Sequence, residues 1–455
     1  MENSRKSKSD GLPERVADAL FPVVPSGSSI LLGLSGGVDS VVLLHLLQQL
    51  ATHYSWRLSA LHVHHGISSH AGDWAVFCTE LCAAYKIPLQ IERVDIAALR
   101  GHGIEAAARK LRHAAFDRQP VNFIALAHHQ DDQAETLLLQ LLRGAGLRGA
   151  SAMPVIRQRD GHPTQLRPLL NVARSELLAY AQQHGLRWVE DESNADDAYP
   201  RNFLRHRVLP ELEQRFPAYR EALSRGARHF AEASELLDEL AQMDARDALH
   251  DGALEVGRLQ ALSVPRAKNL LRYFLHSLGA PMPQAVQLDE MLQQLCEARQ
   301  GAAVQITFGN WQLRRYRGKA YALPALSEPG VEFCASWYGE STLKLPELGG
   351  TLYFESAVGR GLSLEKLQQA AVSVRLRRGA EKIRPDCKRP ARTLKNLLQE
   401  HGMPPWRRDS LPLLYCGDAL VAVPGIGVEC AYQAEAGEVG LVLRWDVLAA
   451  RKAGE

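Results

Sequence analysis

Between Ser28 and Phe216 the sequence alternates short apolar runs with longer stretches in which apolar residues recur at helical spacing. The first run, Ile30–Leu34, precedes such a stretch over 38–50. Strands that alternate with helices are typical of βαβ units, which pair their strands in parallel. Because parallel sheets bind ligands at the carboxyl ends of their strands, a site is expected there. We therefore predict a Rossmann-like α/β domain over residues 28–217. Further strands are expected at 58–63, 88–94 and 123–127, and helices at 73–85, 104–117 and 132–143.

The rest of the chain does not continue this alternation. Residues 218–323 begin with a charged, helix-favouring stretch and are predicted to hold a connector helix and a mostly helical domain that ends in strands. Residues 324–361 are rich in Pro, Gly and Ser, which predicts a linker or small insert. Strand-like segments flank one short helix in residues 362–455, which predicts a small α+β domain. Residues 1–27 are assigned to an N-terminal tail.

Cysteine usage and hydropathy exclude several classes of protein. The 455 residues include 7 cysteines and no Cys-x-x-Cys, which argues against a disulfide framework, a zinc ribbon and a clustered iron–sulfur site. Cys78 and Cys82 are expected to be a buried apolar pair on one helix. The start of the chain is polar, and no apolar run is long enough to span a membrane. The sequence favours a cytoplasmic enzyme or binding protein.

A glycine-rich loop joins the first strand to its helix. Two adjacent glycines let backbone N–H groups approach an anion, and the helix start adds partial positive charge. Asp39 is unfavourable beside a phosphate unless a cation lies between them, so we assign it as a Mg²⁺ ligand. The simpler alternative is a glycine turn with an acidic residue near a helix start. The residues predicted to bind phosphate are Ser35, Gly36, Gly37, Val38, Asp39 and Ser40.

Histidines follow the second and fourth strands. Three of them lie in the segment His62–His65, but no carboxylate is close in sequence, so a zinc site is disfavoured. Contacts with the edge of a nucleotide are the favoured role for His62 and His65, and the same role is assigned to His128. The chain has no Walker A motif, so any nucleotide is bound in another way.

Two carboxylates open the helix after the fourth strand. Asp132 and Glu135 are three residues apart and so project to one face. They could hold a cationic substrate or a second Mg²⁺, or they could be solvated partners of the helix dipole.

Arginines recur at several candidate binding positions. Arg109 and Arg112 share one helix face and could meet a phosphate or a carboxylate. Arg143 and Arg148 flank a Gly-rich loop that could close over a polyanion. The pair Arg201 and Arg205 could grip an anion from one side, or form a salt-bridged cap with the acidic residues 190–192. For each of these, a plain surface role is the alternative.

Positive charge is concentrated near the C-terminus. The chain as a whole has 53 Lys and Arg against 51 Asp and Glu, which gives no hint of a polyanionic partner. Between residues 375 and 408, however, eleven Lys and Arg face only three acids, and Trp406 offers a stacking surface. This pattern favours phosphate contacts to a nucleic acid over a merely solvated surface. The predicted contacts from this segment are Arg375, Arg377, Arg378, Lys382, Lys395, Trp406 and Arg407.

Taken in order along nearly the whole chain, these segments resemble the tRNA(Ile)-lysidine synthases, a family of PP-loop ATP pyrophosphatases. The matching motifs are SGGVDS, HVHHGI, EAAARKLR, AHHQDDQAET, LLRGAGLRG, EDESN, RNFLR, RLRRGAEKIRP, LKNLLQE and MPPWRRDSLPLLY. Two positions depart from the family pattern: His64 replaces an asparagine and His113 replaces an aromatic residue.

The resemblance implies a reaction. ATP, with Mg²⁺, adenylates the C2 oxygen of the first anticodon cytidine in the isoleucine tRNA with a CAU anticodon, and pyrophosphate leaves. An amine of free lysine then displaces AMP to give lysidine, which changes codon reading from methionine to isoleucine. Members of the family can form homodimers, although no interface is legible in this sequence.

The resemblance also implies roles for individual residues. Asp39 and Ser40 would serve adenylation, while Arg112 would bind the lysine carboxylate, and Asp132 and Glu135 its ammonium groups. The tRNA would contact the C-terminal basic segment and four arginines of the first domain. These four are Arg143, Arg148, Arg201 and Arg205.

Two other functions compete with this one. A PP-loop tRNA thiolase also adenylates a base, but it needs a reactive thiol pair or a cluster, and the α/β domain offers only Cys78 and Cys82. A non-catalytic RNA-binding protein would not need the intact SGG and Asp39 of the loop.

Overall fold

The computed structural model describes residues 11–447, apart from 65, 67, 69, 96–103, 300–301 and 326–332. The chain forms two compact units, residues 1–237 and 238–455. Among the described helices, none combines the length and the apolar character that crossing a membrane requires.

The first unit contains a mostly parallel sheet of six strands, in the order β3-β2-β1-β4-β6-β5, which confirms the predicted α/β class. Only β5 runs antiparallel to its neighbour. The two last strands were not predicted, because pieces of two and three residues leave no periodic signal. The strands are β1 Ser29–Gly33, β2 Arg57–His64, β3 Leu89–Arg93, β4 Phe123–Ala125, β5 Ile156–Arg157 and β6 Thr164–Leu166.

Helices cover both faces of this sheet. Helix α2 is apolar on most sides and is buried from Val41 to Leu44, as expected for a helix enclosed by other elements. Helix α1 lies within the segment assigned to a tail, yet its Val16 and Leu20 are buried in the same core. The helices are α1 Leu12–Leu20, α2 Val38–Tyr54, α3 Ala71–Ala84, α4 Ile104–Asp117, α5 Gln130–Leu142, α6 Leu147–Ala150, α7 Arg174–Gln183, α8 Pro200–Phe203, α9 Leu209–Arg215 and α10 Tyr219–Ala245.

The strand order places a topological switch point between β1 and β4. Strand β1 pairs in parallel with β2 on one side and with β4 on the other. The chain therefore leaves these two neighbouring strands toward opposite sides of the sheet, which opens a crevice at their carboxyl ends. The glycine-rich loop follows β1 and the His128–Glu135 segment follows β4, so both reach this crevice.

In the N-terminal part of the second unit, three helices pack on an antiparallel sheet of order β7-β8-β11-β10-β9. Phe274 and Leu313 are fully buried between the two layers. This region is less helical than predicted, since its five-stranded sheet includes two short strands before the helices. The elements are β7 Leu249–His250, β8 Ala253–Glu255, α11 Val256–Ala261, α12 Val264–Ser277, α13 Ala285–Glu297, β9 Val304–Phe308, β10 Trp311–Tyr316 and β11 Lys319–Pro324.

The C-terminal part of this unit has two larger sheets, ordered β12-β16-β19-β20-β21 and β13-β14-β22-β15, and a small β17-β18 ribbon. The segment 324–361, interpreted as a linker, contributes three of these strands, and β14 pairs with β22 from Gly350 to Val358. These strands lie near glycines, and the alternation of apolar and polar residues in each of them covers too few positions to predict a strand. The elements are β12 Cys334–Trp337, β13 Thr342–Leu345, β14 Gly350–Val358, β15 Leu362–Ser363, α14 Leu364–Leu367, β16 Val372–Arg375, β17 Lys382–Ile383, β18 Arg392–Thr393, α15 Leu394–Glu400, α16 Pro405–Arg408, β19 Leu413–Cys416, β20 Ala419–Val423, β21 Gly427–Val428 and β22 Val439–Val447.

One disulfide joins Cys387 to Cys430 in this part of the unit. Sequence analysis gave no reason to expect it, because a single pair among 7 cysteines has no framework spacing.

Candidate active site and basic surface

A cavity of about 770 Å³ opens at the carboxyl ends of β1, β2 and β4. It brings together most of the residues of the first unit that were predicted to bind ATP or lysine. Those in its wall are Ser35, Gly37, Val38, Asp39, Ser40, His62, Arg112, His128 and Asp132, and the wall also includes Arg205, which was predicted to contact tRNA. Arg143 and Arg148 are exposed, and neither belongs to the cavity wall that the described residues form. His65 falls outside the described residues.

Hydrogen bonds to Ser40 hold the glycine-rich loop in shape. Its hydroxyl accepts from the N–H of Ser35 at 3.3 Å and of Gly36 at 3.2 Å, and donates to the Gly37 carbonyl at 2.9 Å. Gly36 has a φ of +92°, and a Cβ there would lie 2.9 Å from Val189. Only glycine fits this position. Ser40 therefore shapes the loop from within, and its direct contact with phosphate remains a prediction.

Asp39 has one oxygen without a hydrogen-bond donor. Its Oδ1 is buried and has no partner among the described residues, while Oδ2 lies 3.6 Å from His129 Nε2. A buried carboxylate oxygen without a donor costs free energy unless a cation or donor is supplied. Asp39 is thus suited to hold Mg²⁺ beside a phosphate.

His129 lies at the centre of a group of carboxylates and was not predicted as a site residue. Its Nε2 is 3.5 Å from Asp132 and its Nδ1 is 3.7 Å from Asp131. Burial lowers the pKa of His129, but the nearby Asp132, Asp39 and Asp131 outweigh it and raise the pKa above its usual value. The ring therefore favours the cationic state. The doublet His128-His129 was the only sequence signal, and it did not indicate which histidine would face the carboxylates.

His128 has the opposite electrostatic environment. Burial, together with nearby Arg167, Arg201 and Arg109, lowers its pKa to about 3 despite Asp132. The imidazole is therefore neutral, so it can contact a nucleotide only as an uncharged hydrogen-bonding group.

Asp132 and Glu135 contact arginines of the same unit. Arg201 donates from Nε to Glu135 at 2.6 Å and from NH2 to Asp132 at 2.8 Å. Arg205 donates from Nε to Glu135 at 2.7 Å. Glu135 is fully buried, and Asp132 is 13% exposed. The arginines predicted to grip tRNA therefore turn inward and neutralise the carboxylates predicted to bind lysine.

The acidic residues of the predicted cap, Glu190, Asp191 and Glu192, line the cavity. The partners of each arginine lie 66 to 70 residues away along the chain, so no local spacing could indicate them.

Another part of the cavity wall carries cationic side chains. Arg109, Arg112 and His113 line it, and burial with the charge of Arg109 lowers the pKa of His113 to about 4. Behind them, Arg167 is 3% exposed and donates to the Pro154 carbonyl at 2.9 Å. Arg167 was not predicted as a site residue. Its positive charge, together with that of Arg109, favours an anionic group at this wall.

The two cysteines near the loop are unsuited to thiol chemistry. Cys78 and Cys82 are buried, with exposures of 0% and 1%, as predicted. Burial raises the pKa of Cys78 to about 12 and that of Cys82 to about 11. Because the thiolate is the reactive form, neither thiol is activated.

In the second unit, ion pairs divide the predicted basic residues into two groups. Arg375 pairs with Asp418 and Arg377 with Asp409, and both arginines are less than a quarter exposed. The other group is exposed and has no ion pair among the described residues. It comprises the predicted contacts Arg378, Lys382, Lys395 and Arg407 together with Lys388, and we refer to it as the open cations.

Trp406 is partly enclosed by other aromatic residues. Its ring centroid lies 5.5 Å from that of Tyr321 and 6.1 Å from that of Tyr316, and the Arg314 guanidinium sits 5.2 Å from the indole. Arg408 also donates to the Tyr316 hydroxyl at 3.0 Å. Trp406 thus packs the C-terminal sheets against β10 and β11, which leaves it less available to stack on a base.

Comparison with known proteins identifies first the class and then the family. Residues 13–212 match the PP-loop domain family, which places the first unit among ATP-binding PP-loop proteins. Residues 254–321 match the TilS substrate binding domain, and residues 372–445 match the TilS substrate C-terminal domain.

Curated relatives extend this match over nearly the full length. A tRNA(Ile)-lysidine synthase from Nitrosomonas europaea is 45% identical over 95% of this chain and 96% of its own. Those of Coxiella burnetii and Chromobacterium violaceum are 40% and 42% identical, covering 96% and 93% of this chain and 96% and 98% of their own. The chain belongs to the tRNA(Ile)-lysidine synthase family.

Proposed function

We propose that this protein joins free lysine to C2 of the first anticodon cytidine of the CAU isoleucine tRNA, at the expense of ATP, which yields lysidine, AMP and pyrophosphate. The observation that carries the proposal is the cavity at the switch point, whose walls join a phosphate-binding loop to an acidic and a cationic surface. ATP, a base and a zwitterionic amino acid together require these three surfaces.

Adenylation is assigned to the loop side of the cavity. The cytidine C2 oxygen attacks the α-phosphorus of ATP, and pyrophosphate leaves toward the N–H groups of the loop and the start of α2. Asp39 would hold Mg²⁺, since its Oδ1 is buried without a donor. Bound there, the ion would neutralise charge on the departing pyrophosphate. The Nε2 atom of His129 lies 3.6 Å from Asp39 Oδ2, where it helps to hold that carboxylate in place.

Lysine is assigned to the space between the acidic and cationic walls. Its carboxylate belongs beside Arg112, where Arg109 and the buried Arg167 add positive charge. Its ammonium groups belong beside Asp132, which lines the cavity. Glu135 lies behind Asp132 and is closed off by the two arginines, so we assign it a supporting role: it holds Arg201 and Arg205 in place.

The tRNA is assigned to the open cations of the second unit, which can reach phosphates without breaking an ion pair. We expect the triple change Arg378→Gln, Lys382→Gln and Lys395→Gln to reduce the salt dependence of tRNA affinity. In a plot of log affinity against log salt, the slope should fall by roughly 0.7 to 0.9 for each phosphate that the variant no longer neutralises. Filter binding at several salt concentrations measures this.

The matched control is Arg377→Gln with Arg392→Gln. These arginines already pair with Asp409 and Glu400, so the slope should hardly change. An unchanged slope in the triple variant would mean that the open cations are only solvated surface.

The mass of the modified tRNA tests the proposed reaction against its alternatives. With ATP, lysine and the isoleucine transcript, we expect a gain equal to lysine less one water. A gain of sulfur would indicate a thiolase, which the high thiol pKa values of Cys78 and Cys82 disfavour. No gain and no release of pyrophosphate would indicate a non-catalytic RNA-binding protein.

A further inference from the structure

The second half of the reaction requires a base. Amines near neutral pH are mostly protonated, and an ammonium nitrogen has no lone pair with which to attack C2. A side chain that accepts this proton must therefore reach the lysine amine. The cavity wall contains several histidines, the residue type that most often fills such a role.

The geometry points to His206 as the general base for lysine transfer, a role that rests on the proposed function. His206 lines the cavity, and its side chain is 35% exposed. Its Nδ1 lies 2.8 Å from Asp197 Oδ1. A carboxylate at this nitrogen selects the tautomer whose proton is on Nδ1, which leaves the Nε2 lone pair to accept a proton.

The backbone places His206 beside the carboxylates assigned to lysine. Residues Leu204–Val208 form a π-helical turn, a distortion that often occurs at functional sites. Arg205 and His206 are consecutive in this turn and both line the cavity. Because Arg205 is bonded to Glu135, the turn is fixed next to the Asp132 wall.

Asp197 is itself held in position. Arg207 donates from Nε to its other oxygen at 2.8 Å. The hydrogen bonds from Arg207 and His206 lower the pKa of Asp197, so it stays ionised as the pH changes around neutrality. In this dyad of His206 and Asp197, the aspartate therefore stays negatively charged. Its charge also stabilises the imidazolium formed when His206 takes a proton.

The other described histidines of the wall are less suited to the role. His62 is buried, with its Nδ1 2.9 Å from the Leu34 carbonyl. Burial lowers the pKa of His113 to about 4 and of His128 to about 3, which makes both weak bases. His129 is surrounded by carboxylates that favour its cation. His64 lines the cavity too, but the described structure gives it no carboxylate partner.

In the step assigned to His206, its Nε2 takes one proton from the attacking ammonium group of lysine. The nitrogen lone pair forms the N–C2 bond, and the C2–O bond to AMP breaks with its electron pair leaving on AMP. The nitrogen keeps one proton in lysidine and loses its remaining extra proton to solvent. No oxidant, reductant or further reactant is needed.

The change His206→Gln tests this role because it separates the two halves of the reaction. We expect release of pyrophosphate from ATP and tRNA without lysine to stay within about twofold of the unchanged protein. Transfer of lysine to the adenylated tRNA should slow roughly 100-fold at pH 7, the scale of losing a general base. The difference in transfer rate between His206→Gln and the unchanged protein should narrow toward pH 9, because free amine then replaces ammonium without help from the protein.

The pH readout needs controls because other charges face His206. Asp197 contacts His206, and Arg207 contacts Asp197. Arg205 and the carboxylates of residues 190–192 line the same cavity. Arg207→Gln removes one of the two contacts that hold Asp197 but keeps the carboxylate beside His206, so lysine transfer should slow less than in Asp197→Asn, by about two- to threefold. Asp197→Asn should slow transfer roughly tenfold with little change in the KM for lysine, because it disturbs the tautomer and not the binding of lysine.

Three results would overturn the role. They are unchanged transfer in His206→Gln, equal loss of pyrophosphate release and transfer, and a raised KM for lysine with unchanged kcat. If His206→Gln does not fold, the rate of lysine transfer in Asp197→Asn tests the role instead. A normal transfer rate in that variant would overturn it. Failure of the unchanged protein to transfer lysine at all would instead contradict the proposed function.

Discussion

Replacing Asp39 with Asn should abolish adenylation while leaving tRNA bound. The variant keeps the size of the side chain and its contact with His129, but it removes the charge that Oδ1 would offer a cation. We expect lysine-independent release of pyrophosphate to fall roughly 1000-fold, the scale of losing one stabiliser of transition-state charge. The tRNA dissociation constant should stay within about twofold, because the open cations lie in the other unit.

The matched control for this variant is Asp73→Asn. Asp73 is also an aspartate in the first turn of a helix, but its side chain is 82% exposed. Its loss should change the rate less than about twofold. An Asp39→Asn protein that releases pyrophosphate at the normal rate would contradict the role of Asp39, and one that loses tRNA binding would place the effect in folding.

Replacing Glu135 with Gln should destabilise the first unit strongly. Glu135 is fully buried and accepts hydrogen bonds from both Arg201 and Arg205. Removing one partner of a buried ion pair strands the remaining charge, which costs about 3 to 5 kcal/mol. Hydrogen exchange of α5 at increasing urea concentration measures the free energy of unfolding where this cluster lies.

The surface pair of Glu213 with Arg220 provides the comparison. Glu213 is 51% exposed, so Glu213→Gln should cost less than about 1 kcal/mol. Adding Arg205→Gln to Glu135→Gln should recover part of the lost stability, because one stranded charge disappears. If Glu135→Gln keeps its stability and only raises the KM for lysine, the carboxylate binds substrate and does not hold the arginines.

The sequence predicted the part of the site that consecutive residues form, which is the glycine-rich loop between the first strand and its helix. The run Ile30–Leu34 followed by two glycines and Asp39 predicted a strand, a phosphate loop and a helix start, and the loop lines the cavity. Cys78 and Cys82 were also predicted correctly as buried, because apolar residues surround them at helical spacing.

Pairings between distant residues could not be predicted. Arg201 and Glu135 are 66 residues apart, and only the packing of α8 and the following π-helical turn on α5 brings them together. The dyad of Asp197 and His206 is closer in sequence, yet it depends on a π-helical turn that has no sequence signature. Trp406 was interpreted as a stacking surface. The tyrosines that pack against it lie about 90 residues earlier in the chain, so no nearby residue indicated that its ring would be partly enclosed.

The most direct test of the central claim is incorporation of labelled lysine into two transcripts that share the CAU anticodon, one for isoleucine and one for methionine. With ATP and excess lysine, we expect one lysine and one AMP per isoleucine transcript and negligible incorporation into the methionine transcript. Equal incorporation into both would contradict the proposed selection of the isoleucine tRNA, and AMP release without bound lysine would contradict the proposed ligase reaction.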